Sequence, residues 1–210
     1  MPTMSMNKVI HGAVRRDLDR FRAALGAFRD GDADRAAQLW RAWDNFDDQL
    51  TDHHEGEHEV AWPHLERAGI GRDLLGQMDA EHGVMAAAME ETREAMTALR
   101  GDPTAARATT AREAMEGLRT ATLDHLEHEE RGLEHFYLQN HDHPEVVAMS
   151  REFRQRNMSK AGQFLSWVTD GATPEERASI AIPGPVFAVM TGLFGRKYRK
   201  EIAPVWQQAT

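Results

Sequence analysis

A chain of 210 residues accommodates one domain with an appendage and is too short for two full globular domains. Its formal net charge of −9 provides no basic surface for a phosphate backbone, which excludes nucleic acid as a partner. It has no cysteine, so disulfides, zinc ribbons and thiolate-held iron are ruled out, and any metal must rest on histidine nitrogen and carboxylate oxygen.

Residues Met1 to Lys8 contain no apolar run of signal-peptide type. No uninterrupted apolar stretch approaches the roughly 18 residues of a membrane span, so there is no transmembrane segment and the expected location is cytoplasmic. The first predicted helix carries His11, Val14, Leu18, Phe21, Leu25 and Phe28, the 3-4 spacing of a buried face. After Gly31-Asp32, a second helix over about residues 34–66 continues one stripe through Leu39, Trp43, Phe46, Leu50, His53, Glu57 and Val60, with Pro63 loosening its last turn. Beyond Gly69 and Gly71, the third aligns Leu75, Met78, His82, Met85, Met89, Met96 and Leu99. Its methionines read as gap-filling core. Gly101-Asp102-Pro103 then reads as a helix stop followed by an N-cap aspartate with proline at the first helical position. The fourth helix aligns Met115, Leu118, Thr122, His125, Glu129 and Phe136. Connections this short join antiparallel neighbours, so the fold class is all-α, an up-down-up-down four-helix bundle.

The organisation changes after residue 143. A helical stretch over Glu145 to Val168 is followed by the turn Asp170-Gly171 and a helix start at Thr173-Pro174-Glu175-Glu176. An apolar run from Ile180 to Phe194, broken by Pro183, Gly184 and Pro185, leads into the basic cluster Arg196, Lys197, Arg199 and Lys200. The chain thus divides into a bundle over 7–140 and a helical extension over 141–210, expected to pack on the bundle or form a homodimer contact. A membrane-surface or partner-docking helix is the competing reading.

One pattern is written twice along the bundle: a lone histidine, then His-x-x-x-Glu one helix later. His11, His53 and Glu57 recur as His82, His125 and Glu129, displaced by 71, 72 and 72 residues. Residues four apart share a helix face, so each pair aims an imidazole and a carboxylate at one point. A single core histidine is more often satisfied by hydrogen bonds than by a metal. Six such groups on four apolar stripes are different, because two carboxylates and four neutral imidazoles lack donors enough to satisfy one another. A pair of cations resolves this, with iron or manganese suiting the mixed donor set and zinc a weaker fit. The simplest division gives His11 and His53 to one ion and His82 and His125 to the other, bridged by both glutamates. His58, His64, His128 and His135 read as helix-surface or supporting groups, His128 and Glu127 as able to tune the site, and Tyr137 as too far along its helix to serve as a metal or radical residue.

The stretch His53-His54-Glu55-Gly56-Glu57-His58-Glu59-Val60-Ala61-Trp62-Pro63, with Glu81-His82 and His125-Leu126-Glu127-His128-Glu129-Glu130, resembles the hemerythrin family, specifically its hemerythrin-like histidine-and-glutamate cation-binding domains, over about residues 7 to 140. The resemblance implies a non-haem centre of two iron ions (Fe2+/Fe3+, oxo- or hydroxo-bridged) that binds O2, H2O2 or NO. It also implies metal ligands at His11, His53, Glu57, His82, His125 and Glu129, with His54 a further candidate. The chain departs from oxygen-carrying members in two places. Ala86 stands where they have a second third-helix histidine, and Glu129 lies four residues after His125 where they have aspartate at five. An iron with fewer protein ligands keeps positions for water or substrate, which favours reaction, catalase-like peroxide breakdown above all, over reversible storage. The alternative is a non-catalytic sensor whose extension relays metal occupancy to a partner. A ferritin-like oxidase would need Glu-x-x-His twice, and only Glu55-x-x-His58 lies on the second helix. No Gly-x-Ser-x-Gly or cysteine nucleophile supports hydrolysis.

Overall fold

A computed structural model describes residues 3–156, 160–180 and 182–207. Among these residues all regular structure is helical. Helix α1 (Met6–Gly26) starts at Ser5, whose side chain accepts from the Lys8 amide. Helix α2 (Ala33–Gly56) is capped in the same way by Asp32. It runs without a break through a widened π turn, Glu57–Ala61, into α3 (Trp62–Arg67). That turn lies immediately before Pro63, whose ring would clash with the carbonyl four residues back in a regular helix, so the chain widens where the sequence predicts a loosened end. Helices α4 (Arg72–Gly101) and α5 (Ala105–Gln139) follow.

The cap between α4 and α5 differs from the sequence expectation. Thr104, not Asp102, accepts from the amide of Arg107. The reason is tertiary: the Pro103 carbonyl accepts from the Gly31 amide at 2.8 Å, and Asp30 takes the Ala105 amide at 2.7 Å. This tie to the α1–α2 loop shifts the helix start by two residues.

Helix α4 lies along α5, α5 against α1, α2 against α4 and α1 against α2. The ring of contacts encloses Leu18, Phe21, Leu39, Trp43, Phe46, Leu50, Met85, Met96, Leu99, Met115 and Leu118, all essentially inaccessible. A second apolar cluster holds Val60, Trp62, Leu65, Leu75, Met78 and Leu133. Along α2, α4 and α5, the predicted ligands fall between residues of these two clusters, so a polar layer interrupts the core.

The predicted helix over 145–168 is present as α6 (Pro144–Arg156) and α7 (Ala161–Thr169), and residues 157–159 of that expectation lie outside the described residues. The start at Thr173 forms a full capping box, with Glu176 Oε2 accepting from the Thr173 amide at 2.6 Å and Thr173 Oγ1 from the Glu176 amide at 3.1 Å, and opens α8 (Pro174–Ser179). In the apolar run, residue 181 lies outside the described set. Its part from Gly184 onward forms α9 (Gly184–Val189) and a π turn, Met190–Phe194. A further π turn, Tyr198–Ile202, enters α10 (Ala203–Gln207). No helix among the described residues is long and apolar enough to cross a membrane.

These later helices pack on the first four. Helix α6 contacts α3 and the Glu57–Ala61 turn, α7 and α8 contact α1, and the last π turn and α10 contact α2. A buried polar knot holds part of this contact. Asp17 accepts from Trp167 Nε1 at 2.8 Å and from Arg20 at 3.0 Å. Arg20 and the Tyr198 hydroxyl both donate to Asp170, at 3.1 and 2.9 Å. Alongside it, Arg16 forms a two-pronged pair with Glu176 at 2.7 and 2.8 Å.

Candidate metal centre

Four helices bring all seven sequence-predicted residues to one place. His54, Glu57, His82 and His125 form one group, and His11, His53, Glu57 and Glu129 a second; in each, one nitrogen or oxygen per residue lies within 4.8 Å of the others. Glu57 belongs to both. Its Oε1 is 3.3 Å from His53 Nε2 and its Oε2 is 3.3 Å from His82 Nε2, so each oxygen faces one group. His11 Nε2 stands 3.0 Å from Glu129 Oε2, and His82 Nε2 stands 3.0 Å from His125 Nε2. The His54 ring stacks on that of His82 at 4.3 Å. His11, Glu57, His125 and Glu129 are at most 2% exposed.

The hydrogen bonding inside this cluster is incomplete. His11 Nε2, His53 Nε2, His54 Nε2, both oxygens of Glu57 and Glu129 Oε2 are buried without an aligned hydrogen-bond partner. Leaving a buried polar atom unpaired costs about 1–3 kcal/mol. Six converging on one point are compatible with a stable fold when a cation accepts their lone pairs, and imidazole nitrogen with carboxylate oxygen is the donor set of iron, manganese and zinc.

The family model of the hemerythrin HHE cation binding domain matches residues 7–137, well over half the chain. The chain belongs to this family. No curated protein and no solved structure matches it. Membership makes the helical domain a cation-binding one, and the two groups sharing Glu57 are its candidate ligand clusters.

Around the HHE cluster stands a layer of groups that the sequence reading did not assign. Glu130 Oε1 meets His11 Nδ1 at 3.0 Å and takes Arg15 at 2.6 Å. Glu81 holds His125 Nδ1 at 2.9 Å with one oxygen and His128 Nδ1 at 2.7 Å with the other. A carboxylate on Nδ1 fixes the proton there and turns the Nε2 lone pair inward. Asn7 Nδ2 donates to Glu129 Oε1 at 2.8 Å. This leaves Glu129 a single oxygen for the cluster and explains why Glu57 alone faces both groups, where the sequence reading has both glutamates bridging. Asp79 accepts from Trp62 Nε1 at 2.8 Å, and the Trp62 indole lies nearly parallel to His82.

Charges follow from this burial. Burial pushes His53 down to about 3, helped by the charge of His11, and pushes His82 down to about 4, helped by His125. His54 is lowered well below its usual value by burial and its neighbouring imidazoles. All three are neutral donors at pH 7. For Glu129 burial acts upward, but the opposing charges of His11, His53 and His125 prevail and hold it at about 2. Burial likewise opposes the protonation of His11, yet Glu129 and Glu130 raise it. Burial, then repulsion from Glu129 and Asp79, raises Glu57 well above the carboxylate range. Without a cation, the cluster therefore favours the protonated forms of Glu57 and His11.

Burial first, and then Glu129, Glu57 and Glu134, raise the Tyr137 phenol well above its ordinary value. Two side-chain readings need correction. His64 is buried, not a surface group: it bonds Glu145 at 2.7 Å and Glu152 at 3.2 Å where α6 meets α3. Glu127 is exposed and pairs with Arg131 at 3.0 Å, away from the ligands, whereas His128 reaches the site through Glu81.

Proposed function

We propose that residues 7–140 form an up-down-up-down four-helix bundle holding two iron ions, with residues 141–210 as an extension packed upon it, and that the centre reacts with a small oxygen species (O2, H2O2 or NO), peroxide breakdown being the reaction it suits best. The observation that carries this reading is the pair of ligand groups sharing Glu57, with six orphaned nitrogen and oxygen atoms turned inward. The alternation of the two apolar clusters along α2, α4 and α5 supports the antiparallel order.

In this reading His54, His82, His125 and Glu57 hold one ion, and His11, His53, Glu57 and Glu129 the other. Two adjacent irons supply Lewis acidity and a two-electron capacity that matches peroxide. The chain supplies access and protons. The side chains of His53 and His82 are 7% and 11% exposed, so the cluster is not wholly sealed from solvent. Glu81 and Glu130 hold the Nδ1 protons of His125 and His11.

His125→Ala is expected to lower iron from about two ions per chain to about one, since only the group containing His54, Glu57 and His82 loses a ligand, with circular dichroism showing the helix content retained. Full retention of metal would remove His125 from the ligand set. Cation binding also has to compete with protonation of Glu57 and His11, which the cluster favours. Titration calorimetry of the metal-free protein in buffers of different ionisation enthalpy is therefore expected to show net proton release, with affinity falling as pH drops and these groups hold their protons more firmly. Affinity independent of pH between 5 and 8 would contradict that charge assignment.

A sensor reading has its own support, because the extension touches the ligand turn. A Cβ at Gly56, between His54 and Glu57, would come within 2.7 Å of the Phe153 ring on α6. Steady peroxide turnover by the iron-loaded protein favours the enzyme. Metal-dependent protease exposure of residues 144–210 without turnover favours the sensor.

A further inference from the structure

Four large apolar side chains stand out to solvent within nine residues: Val186, Val189, Leu193 and Phe194, each 52–69% exposed. The 3- and 4-residue steps from 186 to 189 to 193 put Val186, Val189 and Leu193 on one face of α9 and its π turn, with Phe194 exposed at its edge. The opposite face is seated on α7. A Cβ at Gly162 would lie 2.6 Å from the Met190 carbonyl oxygen, and one at Gly195 would lie 2.9 Å from that of Gly162, so two glycines let the backbones meet. The apolar face is thus presented by a docked segment.

Directly after it come the exposed cations Arg196, Lys197, Arg199 and Lys200. The Arg199 guanidinium donates to the Thr191 carbonyl and, at 2.8 Å, to that of Gly192, tying the cationic stretch to the apolar turn. No carboxylate side chain occurs between Glu176 and Glu201, although the chain as a whole carries −9.

We propose that residues 183–200 dock on a lipid surface with anionic headgroups, the apolar side chains entering the interface and Arg196, Lys197 and Lys200 meeting the headgroups. Charge decides the occupant. A twofold contact between two copies of this patch would set the same cations against one another with no acid in the segment to neutralise them, whereas an anionic membrane supplies the missing charge. With no helix among the described residues fit to span, the segment lies on the surface. The proposal stands independently of the metal centre.

The test is co-sedimentation of the full chain with vesicles of phosphatidylcholine alone and of phosphatidylcholine mixed with phosphatidylglycerol. Binding to the anionic vesicles is expected to exceed binding to neutral ones by on the order of tenfold or more, and to weaken with salt. Val189→Asp/Leu193→Asp and Arg196→Glu/Lys200→Glu are each expected to lose that preference while keeping wild-type helix content, since all four side chains are exposed. Absence of binding, or equal binding to both vesicles, would overturn the proposal. So would self-association in the absence of vesicles that the same variants abolish, which would make a second copy the occupant.

Discussion

Replacing Glu57 by leucine is expected to remove both cations at once while making the metal-free protein more heat-resistant. Glu57 is common to the two ligand groups, with one oxygen 3.3 Å from His53 and the other 3.3 Å from His82. No other residue stands in both groups, so metal content should fall from about two ions per chain to nearly none, a larger loss than any single histidine change gives. Without metal, the same carboxyl is buried, protonated and unpaired at both oxygens. An apolar side chain of similar volume replaces an unsatisfied polar group there, and exchanges of this kind stabilise by up to about 1–4 kcal/mol. For a domain of this size that corresponds to a rise of a few degrees in the melting temperature of the metal-free form. The metal-induced rise seen in the wild type should vanish. Elemental analysis with melting curves, with and without metal, reads both effects; a variant that keeps either cation would contradict the shared role of Glu57.

Asp17→Ala is expected to destabilise the chain by about 1–3 kcal/mol, because it leaves the buried Trp167 indole N–H without its acceptor. Asp17 is 1% exposed and takes both the Trp167 indole, at 2.8 Å, and Arg20, at 3.0 Å. Arg20 keeps Asp170, which also accepts from Tyr198, so the damage falls on the seam between α1 and the extension. Denaturant unfolding measures the loss, and limited proteolysis should show cleavage beyond residue 160 before the bundle is cut. Asp17→Asn, which retains an acceptor for Trp167, should fall between. A loss under about 1 kcal/mol for the alanine variant would mean that the knot does not hold the extension.

Much of the site was legible because its residues break a pattern. His11, His53, His82 and His125 occupy positions where helical periodicity calls for apolar side chains, and Glu57 and Glu129 follow one turn later. The supporting groups break no pattern. Glu81 and Glu130 sit beside ligands in sequence but serve histidines on other helices, His125 and His11, and only the packing of α4 on α5 and of α5 on α1 brings them there. Asn7 looks like an ordinary first-turn residue until it is found 2.8 Å from Glu129. The extension was the least legible part. Its helices are short, interrupted by widened turns and fitted through glycines such as Gly162 and Gly195, so no long period announces which face packs. His64 illustrates the same gap, since Glu145 and Glu152 that bury it come from beyond the bundle.

The most direct test of the account is the iron content of the purified full chain, measured by elemental analysis together with its absorption spectrum. About two irons per chain with the charge-transfer bands of a bridged pair are expected, given two ligand groups joined through one carboxylate. A correctly folded, iron-loaded preparation that retains no iron, or only one ion per chain, would contradict it.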